Sequence, residues 1–111
     1  MKKIIIKNQQ ELDQIRRVEK DEEIVFESNN IEIKFSIEVF GILRLKGVIK
    51  SEWGKHIVTR ETGCLHSESR GSSQVHSESR ESSQVHSVSR GSSQVHSVSR
   101  ESSQEIGRAH V

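Results

Sequence analysis

The chain has 111 residues, a length that allows one domain. Its 17 basic and 16 acidic residues leave a formal charge of +1, so no long-range field of either sign draws it to nucleic acid or to an anionic membrane. The single cysteine, Cys64, excludes an internal disulfide framework.

From the N-terminus, Met1-Lys2-Lys3 is followed only by Ile4, Ile5 and Ile6 before Lys7, too short an apolar core for a signal peptide. No run approaches the ~18 apolar residues of a membrane span, and the expected location is cytoplasmic. The three β-branched residues predict a short strand. Asn8 then stops it, and Asn8 with Glu11 has the pattern of a helix-capping box. Leu12, Ile15 and Val18 recur at spacings of three, which predicts an amphipathic helix of about three turns ending near Lys20.

Asp21-Glu22-Glu23 resets the chain, and Ile24-Val25-Phe26 predicts a second strand closed by the turn-forming Ser28-Asn29-Asn30. Ile31, Ile33, Phe35, Ile37 and Val39 alternate with polar residues, and that period of two predicts one half-buried strand over the nine residues. Gly41 permits a bend, and Gly47 is expected to divide the following apolar set, Ile42 to Ile49, into two short strands.

From Leu65 to Gln104 one ten-residue unit is written four times: LHSESRGSSQ, VHSESRESSQ, VHSVSRGSSQ, VHSVSRESSQ. The seventh position alternates Gly71, Glu81, Gly91, Glu101, which indicates a structural period of 20 with two units per turn. In an extended strand Val75, Ser77 and Ser79 share one face and His76 and Glu78 the other; the Arg-Gly or Arg-Glu step and the Ser pair supply turns. Residues 55–64 align with the unit through His56, Arg60 and Glu61 and read as a divergent first copy. A β-solenoid satisfies the period. Each unit carries at most two large aliphatics and no aromatic, so it cannot offset its backbone entropy alone. It needs complete strand pairing and a seed, and all four aromatics (Phe26, Phe35, Phe40, Trp53) precede the repeats. Without that seed the same composition describes a disordered Ser-rich tail.

The order strand, helix, strand, then increasingly regular strands resembles β-helix (β-solenoid) repeat proteins of bacterial or phage type, in which an amphipathic N-terminal helix covers the open end of the first coil. The resemblance covers residues 1–104 and implies a mostly β fold, a short β-solenoid of ten-residue repeats, two per coil, behind a strand-helix-strand cap. After Gln104 the phase requires Val-His-Ser, but the chain reads EIGRAHV, which resembles the in-frame translation of a widely used sequencing adapter. Residues 105–111 are therefore expected to be a non-native tail on a truncated chain. The resulting division is 1–54 as cap and first strands, 55–104 as repeats and 105–111 as tail.

No catalytic or cofactor-binding constellation emerges, and the expectation is a protein that is not an enzyme. Four histidines at spacing ten, His66, His76, His86 and His96, would stack about 4.8 Å apart in pairs, a distance that suits a shared zinc or nickel ion; they form no closed ligand set, so they are only weak metal candidates. Cys64 and His66 would share a strand face, which permits thiolate activation, but no third orienting group is in view. Abundant Ser beside His lacks a G-x-S-x-G elbow. In the repeats four Glu balance four Arg and aromatics are absent, which argues against RNA. The four units also lack Thr, the residue favoured on the ice-binding solenoid surfaces that a regular Ser array resembles.

The reading is a structural or surface-presenting repeat protein with a surface array of His76, Arg80, His86 and Arg90, self-associating along the solenoid or meeting a protein partner. The alternative is a small α/β head with a disordered Ser/Arg-rich tail that binds RNA or a protein.

Overall fold

The computed structural model describes residues 2–51, 56–71, 73–81, 83–90, 94–99 and 104–110, and side chains as far as residue 88. It is mostly strand, wound into a β-solenoid of about four turns. Every strand pair among the described residues is parallel.

The strands form two ladders of one sheet, joined where Lys50 pairs with Gln74. The first comprises β1 (Lys2–Ile5), β3 (Glu22–Ile33), β5 (Ile42–Ser51), β7 (Cys64–Ser69), β9 (Gln84–Arg90) and β11 (Gln104–His110). The second comprises β2 (Arg17–Val18), β4 (Ile37–Val39), β6 (Ile57–Thr59), β8 (Gln74–Ser79) and β10 (Gln94–Ser99). In the repeat strands the register joins residues twenty apart: Leu65 with Val85, Val75 with Val95, Val85 with Glu105. The earlier rungs are less regular, joining Glu23 to Ile42 and Ile42 to Cys64.

The chain departs from its expected local structure at four places. The helix α1 spans only Gln9–Asp13. Asn8 caps it as expected, its Oδ1 accepting the Glu11 N–H at 2.9 Å, but Arg16 and Val18 give their carbonyls to Glu38 N and Phe40 N of the next coil. A backbone claimed by a ladder cannot also close helical turns. Second, Ser28-Asn29-Asn30 is an irregularity inside β3 and not a turn; the register shifts there while the strand continues. Third, Ile31–Val39 is not one strand: it breaks after Ile33, and Phe35 sits at the corner, 41% exposed, with the Arg16 guanidinium 3.6 Å above its ring. Fourth, Gly47 does not divide β5. It sits at φ 144° beneath Ser28, where a Cβ would lie 1.6 Å from the Ser28 carbonyl oxygen.

The core changes character along the axis. Ile24, Leu43, Leu65 and Val85 form one buried column, and Val18, Val39, Thr59 and Ser79 another. Phe26 and Leu45 are followed by Ser67 and Ser87, and Ile37 and Ile57 by Ser77. Large aliphatics thus dominate the first coils, whereas β7, β8 and β9 each keep one, Leu65, Val75 or Val85, beside small buried serines. Val75, Ser77 and Ser79 are buried, as the alternation requires, while His76 and Glu78 are half-exposed.

The turns depend on a buried serine. Ser73 Oγ accepts the Ile49 N–H of the previous coil at 2.9 Å and donates to the Arg70 carbonyl. Ser83 likewise donates to the carbonyl three residues before it, that of Arg80, accepts the Arg80 N–H at 2.9 Å, and reaches the previous coil through Thr59, whose hydroxyl donates to Ser83 Oγ at 3.0 Å. In front of these serines Gly71 at φ 64° and Glu81 at φ 62° adopt the left-handed conformation, and Glu61 does so at φ 56°. Glycine adopts it freely and glutamate does not.

Two tests by urea denaturation of the full chain follow. Ser83→Ala strands the groups it satisfies and should cost about 1–3 kcal/mol, whereas Ser67→Ala removes a buried hydroxyl with no partner among the described residues and should be neutral or stabilising by up to about 1 kcal/mol. Glu81→Gly should stabilise by about 1 kcal/mol, and loss of stability would show that the glutamate side chain outweighs its backbone strain.

Candidate functional site

The outward side chains of the first ladder form straight columns because each rung repeats the parity of the one before. Val25, Arg44, His66 and His86 make one column, and Glu27, Lys46, Glu68 and Val88 make the next. Between them runs a groove of about 480 Å³. Phe26, Leu45, Ser67 and Ser87 also line it. Their side chains are buried, so its floor is largely backbone.

Within the first column the His66 and His86 rings are stacked, centroids 4.8 Å apart and planes within 10°. His66 Nε2 lies 3.1 Å from Cys64 Sγ, and His86 Nε2 lies 3.2 Å from Gln84 Oε1, the equivalent pair one rung on. Arg44, one rung before His66, is held at 2.6 Å by Glu23. Lys46 lies between Glu68 at 3.4 Å and Glu27 at 4.0 Å. Burial, opposed in part by Arg44, pushes the Cys64 thiol above its ordinary range. Burial, then the Arg44 charge and His86, pushes His66 below its ordinary range, with Glu23 opposing. Thiol and imidazole therefore meet as neutral groups near pH 7, not as a thiolate-imidazolium pair.

The two histidine phases lie on different ladders. His66 and His86 are together on the first; His76 lies on the second, edge-on to His56 at 6.1 Å. The register sets His96 opposite His76, but its side chain lies outside those described. Among the described residues no group of three or more His, Cys, Asp or Glu is placed to hold a metal ion. The surface array is likewise divided: His76 and Arg80 belong to the second ladder, His86 and the Arg90 backbone to the first, and the Arg90 side chain lies outside those described. Arg80 is half-buried and pairs with Glu78 at 3.2 Å.

Sequence reasoning did not single out Glu23, Arg44 or Lys46. Their spacings to His66 and Glu68 depart from twenty, and only the register gathers them. Among the described residues no helix is long and apolar enough to cross a membrane. Comparison of the chain with known protein families, curated proteins and solved structures finds no match.

The lowered His66 pKa has a definite sign. The unfolded chain takes up the proton first, so stability is fully present above the usual histidine value of about 6.5 and falls as pH drops through it toward the lower folded value. The urea midpoint should decline as pH falls through about 6.5, and His66→Gln should flatten that decline; an unchanged slope would show that His66 is not its source.

Proposed function

We propose that this chain is a structural, surface-presenting repeat protein of β-solenoid type, without catalytic activity, whose outward histidine and arginine positions meet further copies of the chain or a protein partner. The observation that supports it most directly is the stacking of His66 on His86, because it shows a side chain repeated at constant height and orientation on a hydrogen-bonded ladder. Such a surface offers the same contact at every rung, which favours repetitive partners over small substrates.

In this reading each ten-residue unit is half a coil, and 55–64 is its divergent first copy. The N-terminal strands with α1 act as a cap. Gln9 of α1 supports the last point: its side-chain amide donates to the Glu32 carbonyl at 2.7 Å and accepts the Glu32 N–H at 3.0 Å, satisfying the edge of β3 as another strand would. Residues 105–111 are read as non-native in origin, although the backbone of Gln104–His110 pairs with β9. The alternative of a disordered repeat tail has less support, since β7 to β10 all find ladder partners.

Sedimentation of the full chain across a wide concentration range tests the surface. The native chain should associate as concentration rises, and a variant with His76, Arg80, His86 and Arg90 all changed to Ala should not. Identical sedimentation of the two would overturn the role given to these residues in assembly.

A further inference from the structure

The last rung of the first ladder is paired but does not match the rung beneath it. The other pairs of repeat strands set like on like. Between β7 and β9 the register joins Leu65 to Val85, His66 to His86, Ser67 to Ser87 and Ser69 to Ser89. Between β8 and β10 it joins Val75 to Val95, His76 to His96, Ser77 to Ser97 and Ser79 to Ser99. Where β11 meets β9 it sets Glu105 on Val85, Ile106 on His86, Gly107 on Ser87 and Ala109 on Ser89. A glutamate thus enters the register position of the buried column Ile24, Leu43, Leu65 and Val85, and an isoleucine that of His66 and His86.

Both assignments run against what the columns reward. A carboxylate continuing a buried aliphatic row has to give up water without a partner, and an isoleucine continuing an outward row forgoes its burial. A glycine inside a strand adds no packing. A slip by one residue would exchange the two faces, but the pairing holds Gln104 on Gln84. What ties β11 to β9 is therefore mainly backbone hydrogen bonding, which any extended strand can supply. A strand reading aliphatic, His, Ser, any residue, Ser would supply the same bonds and match the columns as well. Residues 95–99 of this chain, VHSVS, have that pattern. They lie in β10, whose ladder partner among the described residues is β8 alone, so releasing β10 breaks one set of ladder bonds and capturing it restores one set.

We infer that the edge of β9 is a strand-acceptor site, at which β11 is exchanged for residues 94–99 of a second copy of the chain, laid parallel with Val95 on Val85 and His96 on His86. The contact is separate from the side-on meeting of outward histidines and arginines described above. It is made by the backbone along one edge, and either contact can fail without the other.

A fluorescein-labelled peptide of residues 94–100, QVHSVSR, is the probe, titrated with the full chain and followed by fluorescence anisotropy. Far-UV circular dichroism and urea denaturation report the fold of each variant. Saturable binding is expected. Changing Glu105→Val together with Ile106→His gives β11 the matched pattern. It should raise the urea midpoint and weaken peptide binding by about tenfold or more, because a better-held β11 leaves the edge free less often. The peptide QHVSVSR, of the same composition but with its first Val and His interchanged, should bind roughly fivefold more weakly or worse, since the pair then meets the wrong columns. His76→Ala with Arg80→Ala, both on the second ladder, should leave binding unchanged. The inference is overturned if the native chain does not bind QVHSVSR, or if QHVSVSR binds equally well, which would be capture without register. It is also overturned if the Glu105→Val, Ile106→His chain binds as the native one does, which would place the peptide on the edge of β10. Equal weakening by the His76→Ala, Arg80→Ala pair would assign the contact to the outward array instead.

Discussion

Parallel, in-register stacking of one rung on the next is the constraint from which the rest of this structure follows. Each rung hydrogen-bonds through its backbone to those on either side, so a residue's neighbours along the axis are set by register and not by side-chain preference. Once Leu43 lies over Leu65, inward and outward positions are decided for whole strands. The aliphatic columns, the histidine stack and the groove between two outward columns are consequences of that one geometric repeat.

Register alone does not supply stability. The first coils bury Phe26, Ile31, Ile33, Leu43, Leu45 and Ile49, and they form a template of conventional packing. Later coils bury serine at many of the same heights, which contributes little apolar area but lets the chain close on itself in two six-residue strands. Their turns replace apolar mass with directed hydrogen bonds: Ser73 and Ser83 tie each corner to the coil before it. A repeat rung of this kind is added to an existing end much more readily than it is started anew, since the backbone donors it needs are already in place.

Much of this was legible in the residues. The alternation in VHSES specifies which side faces inward, and the Gly71/Glu81 alternation specifies the twenty-residue register. Twenty residues apart, His56 lies beside His76 and Glu61 shares the left-handed conformation of Glu81. What was not legible is where the chain turns corners. Between Ile33 and Ile37 the alternation continues unbroken through a bend, because three residues at 34–36 preserve parity. Leu12, Ile15 and Val18 suit a helix by spacing, yet Val18 is also a sound strand residue, and pairing with Val39 decided between them. The groove was hidden for a related reason: Arg44 is 22 residues before His66 while His86 is 20 after it, so no fixed period finds all three.

The orientation of the ladder hydrogen bonds has a mechanical consequence. In a solenoid they run along the axis, so tension applied between the two ends of the stack loads the interfaces between coils in series, and the extension of the whole is governed by the weakest of them. The aliphatic interfaces joining β3, β5 and their partners are backed by buried side chains on both rungs; the serine-lined interfaces beyond Leu65 are held mainly by backbone and turn hydroxyls. Stretching would therefore open the serine-lined coils first, one rung at a time, while the N-terminal coils stay closed as a surface on which the released strands can re-form.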